Sequence, residues 1–197
     1  MTHSHTNVRY PNLDMVRDYV TRGANVNCEN EHRATSLHLA IMNITDREDR
    51  LETVKYLIEA GADANTPNPD GYNALHLAVL EGDLALVQYL INNTKVDVDS
   101  QTTDYRLTPL HIAVGKENLP IIQYLVETVK ADVNVLNEEK HTAFMEAQSQ
   151  GNHEISRYLL EYGAKLPQGA EIHLIDYESK DNTDITGDST DINGDDM

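Results

Sequence analysis

Thr108-Pro-Leu-His-Ile-Ala113 is the best-formed copy of a six-residue motif that recurs along this chain. The other copies are Thr35-Ser-Leu-His-Leu-Ala40, Asn73-Ala-Leu-His-Leu-Ala78 and the degenerate Thr142-Ala-Phe-Met-Glu-Ala147. Their fourth residues stand at positions 38, 76, 111 and 145, so successive copies are 38, 35 and 34 residues apart. A nearly constant spacing of this size is typical of a protein built from structural repeats.

Local signals predict two helices in each repeat. Thr108 before Pro109 fits a helix N-cap followed by a residue that has no N–H to leave unpaired. A second apolar block, centred on a Tyr-Leu pair, follows every motif and predicts a second helix. In the first two repeats Gly23 and Gly61 follow this block, and glycine favours the left-handed turn that ends a helix.

Together these motifs resemble the ankyrin repeat, whose period is about 33 residues and whose first helix opens with Thr-Pro-Leu-His. The resemblance covers residues 12–166 and implies an all-α solenoid of helix-turn-helix units with finger loops. It implies about four repeats plus an N-terminal half repeat, since residues 1–11 are too few for a finger and a first helix. It also implies a structural role for six motif residues: Thr35, His38, His76, Thr108, His111 and Thr142.

Two regions depart from the repeat pattern. The first repeat has five extra residues between its two apolar blocks, and we expect the charged residues 46–50 to form a longer loop. The last repeat has polar or altered residues at four positions, including Met145 and Glu146, which predicts a C-terminal cap whose outer side faces water.

Composition excludes several classes of partner. Fifteen Lys and Arg against thirty-three Asp and Glu give a net charge of −18, which repels nucleic acid and anionic membrane surfaces. Cys28 is the only cysteine, so no intrachain disulfide can form. We expect a cytoplasmic protein, or one secreted into a host cell by an intracellular pathogen, that is a monomer or a weak dimer. Residues 167–197 hold nine acidic residues and one lysine, which predicts a disordered tail.

No residue pattern predicts catalysis, a cofactor or a metal. The motif histidines recur one repeat apart, about 10 Å between packed layers, which is too far for shared metal ligation. Cys28 has no evident base partner, and the tail stretch Asp191-Ile-Asn-Gly-Asp195 lacks most of a calcium loop. We therefore expect a protein that is not an enzyme.

The resemblance implies that a protein partner binds the concave face, formed by the finger loops and the exposed residues of the first helices. Tyr72, Tyr105 and Arg106 are the expected anchors, because Tyr and Arg dominate interface hot spots. Alternatively, these finger residues only tighten solvated turns. The full candidate set is His32, Arg33, Met42, Asp70, Tyr72, Leu80, Glu81, Tyr105, Arg106, Lys116, Glu139 and Lys140.

Other readings of the sequence stay open. An ankyrin stack followed by an acidic tail resembles the layout of regulatory inhibitors, in which the tail masks a basic partner surface. The chain could equally be a bacterial or viral effector that engages host proteins. Finally, Asn27, Asn65 and Asn134 resemble ankyrin asparagines that a hydroxylase modifies, which would make the chain an enzyme substrate.

Overall fold

The computed structural model describes residues 13–166 as one helix followed by four helix pairs, with no strand among these residues. This confirms the all-α repeat architecture. The N-terminal segment 1–11 and the acidic tail 167–197 lie outside the described residues, as does the calcium-like stretch. The helices are α1 (Leu13–Thr21), α2 (Ser36–Asn43), α3 (Arg47–Glu59), α4 (Ala74–Leu80), α5 (Leu84–Asn93), α6 (Pro109–Gly115), α7 (Leu119–Gln123), α8 (Ala143–Ser149) and α9 (His153–Glu161).

We call α2 with α3 pair 1, α4 with α5 pair 2, α6 with α7 pair 3, and α8 with α9 pair 4. The helix α7 continues as a π-helix over Tyr124–Val129. First helices pack on first helices, α2 on α4, α4 on α6 and α6 on α8, while α1 packs on α3 and α5 on α7. Each pair therefore contacts its sequence neighbours, as stacked repeats do.

Capping boxes start the first helices. At Thr35, Asn73 and Thr108 the side-chain oxygen accepts the backbone N–H of the motif histidine, whose ring in turn accepts the backbone N–H of the cap. Thr142 caps α8 in one direction only, by accepting the Met145 N–H at 3.3 Å. The six-residue motif is therefore a helix start signal whose chemistry is local.

One apolar layer repeats through all four pairs. The first helices bury a large side chain and an alanine three residues later, and the second helices bury a leucine that follows the Tyr of each apolar block. Burying each large side chain contributes roughly 1.5–3 kcal/mol. The recurring core residues are Leu37, Leu75, Leu110 and Phe144, then Ala40, Ala78, Ala113 and Ala147, then Leu57, Leu90, Leu125 and Leu159.

The predicted longer loop in the first repeat is wrong. The insertion lengthens α2 by one residue relative to α4 and adds a turn to the start of α3, which is 13 residues long. Asp46 caps this turn by accepting the N–H groups of Glu48 and Asp49, both at 3.0 Å. These two acidic residues also favour the first turn, because the helix N-terminus carries positive partial charge.

Candidate functional site

Four finger loops precede the first helices: finger 1 (residues 30–34), finger 2 (68–72), finger 3 (102–107) and finger 4 (137–141). Each is closed by a backbone hydrogen bond between its first N–H and its last carbonyl, at 2.9 to 3.0 Å. A left-handed residue stands at each tip: Arg33 (φ 55°), Gly71 (φ 80°), Arg106 (φ 52°) and Lys140 (φ 64°). Three fingers thus place a cation where the backbone conformation favours glycine.

The motif histidines join neighbouring repeats. The buried ring of His38 lies 3.0 Å through Nε2 from the Thr66 carbonyl, and that of His76 lies 3.0 Å from Ser100 O and 3.2 Å from Leu107 O. His111 reaches His141 O at 3.2 Å. Burial lowers the pKa of all three imidazoles. The neutral rings therefore accept at Nδ1 and donate from Nε2 to a carbonyl of the next repeat.

These histidines are positioned as structural links, one per junction. Thr35, Thr108 and Thr142 are buried with them at the helix starts. Within residues 13–166, no three His, Cys, Asp or Glu side chains are grouped so that they could hold a metal ion.

Most candidates for partner binding are exposed. Met42 is 51% exposed, Leu80 38% and Tyr105 62%, so three large apolar side chains are open to solvent at the ends of α2 and α4 and in finger 3. The other exposed candidates are His32, Arg33, Asp70, Glu81, Arg106, Lys116, Glu139 and Lys140.

Tyr72 is the exception, because it is half-buried and packs against the core. Its ring meets the His76 ring edge-on, with centroids 5.9 Å apart. Burial raises the pKa of its hydroxyl, and the charges of Asp70 and Asp104 raise it further. Tyr72 therefore packs against the histidine of the α4 capping box, and its hydroxyl lies in the field of two finger carboxylates.

Arg106 is held in place within the protein. Oε1 of Gln101 accepts from its Nε at 3.2 Å and from its second terminal nitrogen at 2.7 Å. The Gln101 amide donates to the carbonyls of Arg106 at 2.8 Å and Leu136 at 2.9 Å, and Glu138 N–H donates to Tyr105 O at 2.9 Å. Fingers 3 and 4 are thereby locked together. Sequence reasoning missed Gln101 and Leu136, since their partners lie in other repeats.

Two further candidates have partners within the chain. Arg33 pairs with Glu29 at 3.4 Å across an exposed surface. Glu81 lies 3.4 Å from Arg50, whose guanidinium is almost fully buried and also contacts Asp83 at 3.1 Å. The longer charged loop predicted over residues 46–50 includes Arg50 but gave no indication of this ion pair.

Asparagines in the exit loops join successive repeats. Asn27, Asn65 and Asn134 each donate from Nδ2 to a carbonyl of the next exit loop, at 2.9 to 3.1 Å. Each also accepts, through Oδ1, the backbone N–H of the residue two positions after that carbonyl, at 2.8 to 3.0 Å. The modification proposed from sequence would fall on asparagines whose side-chain amides each already donate one hydrogen bond and accept another.

Asp99 takes the equivalent position in the third exit loop. Its carboxylate accepts the Asp132 N–H at 3.0 Å but, when ionised, has no proton to donate. Burial raises the pKa of this carboxyl, and the negative charges of Asp132 and Asp97 add to the increase.

Two shallow cavities, of about 480 and 340 Å³, are lined by helix starts and exit-loop residues rather than by fingers.

Comparisons agree with this geometry. The family model "Ankyrin repeats (3 copies)" matches residues 4–102 and again residues 82–170. The search of curated proteins finds no match. No helix in residues 13–166 has the length and apolar character that crossing a bilayer requires. Ankyrin repeats generally serve as protein–protein interaction modules and are typically not enzymes. Matched over most of its length, with capped helix pairs stacked behind finger loops, this chain belongs to the ankyrin-repeat family.

Proposed function

We propose that this chain binds one protein partner through the concave face. The observation that carries the proposal is an exposed tyrosine on finger 3, whose backbone is hydrogen-bonded to finger 4. Tyr105 is 62% exposed, and its carbonyl accepts the Glu138 N–H of finger 4, while Gln101 ties finger 3 to the Leu136 carbonyl beside finger 4. A rigid aromatic side chain loses little conformational entropy on binding, so its buried area contributes more fully to affinity.

The apolar residues at the ends of α2 and α4 extend this surface. Met42 and Leu80 occupy the same position in pairs 1 and 2, and both are exposed although the residues before them, Ile41 and Val79, are buried. Apolar side chains exposed at corresponding positions of adjacent repeats fit a contact with one continuous segment of a partner. The partner would meet the chain in the cytoplasm, with this chain acting as a monomer or weak dimer.

Affinity capture from cell lysate, followed by mass spectrometry, tests the proposal. The variant Met42→Ser/Leu80→Ser/Tyr105→Ala should lose a protein that the unmodified chain retains. Tyr19→Ala is the matched control, because Tyr19 is 56% exposed on α1 and lies outside α2, α4 and finger 3. Equal thermal melting of all three proteins is required. A partner held equally by all of them would exclude the concave face as the binding surface.

The acidic segment 167–197 supports a second candidate function. Nine acidic residues and one lysine could mask a basic surface on the same partner, as an inhibitor would. Removing residues 167–197 should then weaken binding and reduce its dependence on salt, because exposed charges act over a Debye length of about 8 Å at physiological ionic strength. Unchanged affinity and salt dependence after the deletion would assign binding to the repeats alone.

A further inference from the structure

Fingers 2 and 3 meet in a close contact that fixes their relative position. Gly71 is buried at the tip of finger 2, and a Cβ added there would clash with the backbone N of Thr103 and lie 2.7 Å from its Oγ1. The left-handed φ of 80° at Gly71 also favours glycine. The two fingers therefore form one rigid corner.

This corner brings together two tyrosines and two carboxylates. Asp70 and Tyr72 lie in finger 2, and Asp104 and Tyr105 in finger 3. The negative charges of Asp70 and Asp104 both act on the Tyr72 hydroxyl, and the close approach of Gly71 to Thr103 brings the nearby Tyr105 to the same corner. Both carboxylates are exposed, and neither forms an ion pair with another described residue.

The nearest cation in sequence is occupied elsewhere. Arg106 follows Tyr105 directly, but its guanidinium is bound to Gln101 Oε1 through two nitrogens. The second-helix tyrosines provide a contrast: Arg17 lies 5.6 Å from the ring centroid of Tyr56, and Lys55 lies 5.8 Å from that of Tyr89. The chain supplies its own cations to those rings, whereas the described residues supply none to the rings of fingers 2 and 3.

We infer that the corner formed by Asp70, Tyr72, Asp104 and Tyr105 receives a lysine or arginine side chain of the protein partner. Aromatic faces and carboxylates both attract such a cation, and they do so most strongly where water is partly excluded. The net negative charge of residues 13–166 also favours a basic partner. Residues 13–166 carry twenty-four carboxylates and thirteen Lys and Arg, which attracts a basic segment before contact. This inference rests on the proposed function.

A selection from a random-peptide phage library against the full chain provides the probes. Peptides selected on the unmodified chain should share a lysine or arginine at one fixed position, next to apolar residues that contact Met42 and Leu80. Replacing that cation with acetyl-lysine or citrulline should weaken binding about tenfold or more, measured by fluorescence polarisation. Raising the salt concentration should weaken the binding of the cationic peptides and leave the binding of their neutral analogues unchanged.

Variants of the chain separate charge from ring. Asp70→Asn/Asp104→Asn and Tyr105→Ala should each cost about tenfold in affinity, while Tyr105→Phe, which keeps the ring, should cost little. Two exposed acids on second helices provide the charge-matched control, Glu52→Gln/Glu154→Gln, and Tyr19→Ala is the control for the ring. Both controls should bind as the unmodified chain does.

Each alternative result has a definite meaning. Peptides that depend on Met42 and Leu80 but carry no fixed cation, and that bind Asp70→Asn/Asp104→Asn normally, would overturn this inference and leave the proposed function intact. Peptides indifferent to every concave-face variant would overturn both. A selection that enriches cationic peptides no better on the unmodified chain than on Asp70→Asn/Asp104→Asn would also overturn the inference.

Discussion

The junction between pairs 1 and 2 and the junction between pairs 2 and 3 place a carboxylate in opposite parts of the repeat. At the first junction the helix N-cap is charged, because Asp83 starts α5, and the exit loop carries the neutral Asn65. At the second junction the N-cap is the neutral Asn118, and the exit loop carries Asp99. Both N-caps accept an N–H of the first turn, from Leu86 and Ile121 respectively.

The difference between these carboxylates lies in their partners. Asp83 is almost fully buried and faces Arg50, which the extra turn of α3 places 3.1 Å away. Asp99 is half-buried and has only the Asp132 N–H, with two further carboxylates nearby. An insertion in one repeat has therefore supplied the cation that makes a buried carboxylate tolerable in the next repeat. Asp99 forms no ion pair with a cation among the described residues.

Removing the cation at the first junction should have the largest effect. We expect Arg50→Met to lower the free energy of unfolding by about 3–5 kcal/mol, since it leaves the buried Asp83 carboxylate without a counter-ion. Urea denaturation measures this directly. Arg47→Met is the control, because Arg47 is exposed on the same helical turn and should matter by less than about 0.5 kcal/mol. Equal effects of the two substitutions would contradict a stabilising role for the Arg50–Asp83 ion pair.

Acid should weaken each junction through the motif histidine that it contains. Burial lowers the pKa of His38, His76 and His111 below the ordinary value of 6.5, so the unfolded chain binds protons first as pH falls. Their contribution is fully present above pH 6.5. It should decline below that pH, by at most about 1.4 kcal/mol per pH unit for each histidine.

Urea unfolding at several pH values between about 7.5 and 5.5 tests this expectation. His76→Gln should flatten the dependence, because glutamine can still complete a capping box but does not titrate. His32→Gln, at an exposed finger residue, is the matched control substitution. Stability that rises as the solution is acidified through this range would contradict the assignment of neutral, buried rings.

Converting the first junction into the second tests the comparison itself. The double variant Arg50→Met/Asp83→Asn removes both charges and leaves an asparagine N-cap, as Asn118 and Asn152 provide for α7 and α9. Replacing a whole buried ion pair is often nearly neutral, so we expect unfolding free energy within about 1–2 kcal/mol of the unmodified chain. A double variant as unstable as Arg50→Met would mean that the Asp83 charge is not the source of the loss.

The sequence predicted those parts of the fold that depend on nearby residues. The capping box spans four residues, so Thr108, Pro109 and His111 indicate the start of α6 without any tertiary information. The extra turn of α3 also had a local signal, since Asp46 with Glu48 and Asp49 forms an N-cap followed by acidic residues. The charged composition of this stretch favours a loop, whereas its capping pattern indicates the start of a helix.

Partners in other repeats could not be read from one sequence. Arg50 meets Asp83 33 residues away, and Gln101 meets the Leu136 carbonyl 35 residues away. Such contacts depend on how the repeats stack, which local patterns do not encode. The repeat pattern predicts which residues belong to the concave face. It does not predict that Arg106 is hydrogen-bonded to Gln101 or that the Tyr72 ring contacts the His76 ring.

The smallest expected effect comes from giving the second junction the exit loop of the first. Asp99→Asn supplies the Nδ2 donor that Asn27, Asn65 and Asn134 use, and it removes a carboxylate placed near two others. We expect a gain of about 0.5–1.5 kcal/mol at pH 7, typical of one partly exposed hydrogen bond. The reciprocal change, Asn65→Asp, should reduce stability by a similar amount.

The pH dependence of this gain distinguishes charge from shape. Because the folded-state pKa of Asp99 is raised, its protonated form is the favoured one, and the stability it contributes is lost as pH rises through that pKa. The advantage of Asp99→Asn should therefore grow between about pH 4 and pH 7, as the carboxyl of the unmodified chain ionises. An advantage that does not change with pH would leave the added donor as its whole cause. If Asp99→Asn did not raise the free energy of unfolding at any pH, the exit loop would accommodate an aspartate and an asparagine equally well.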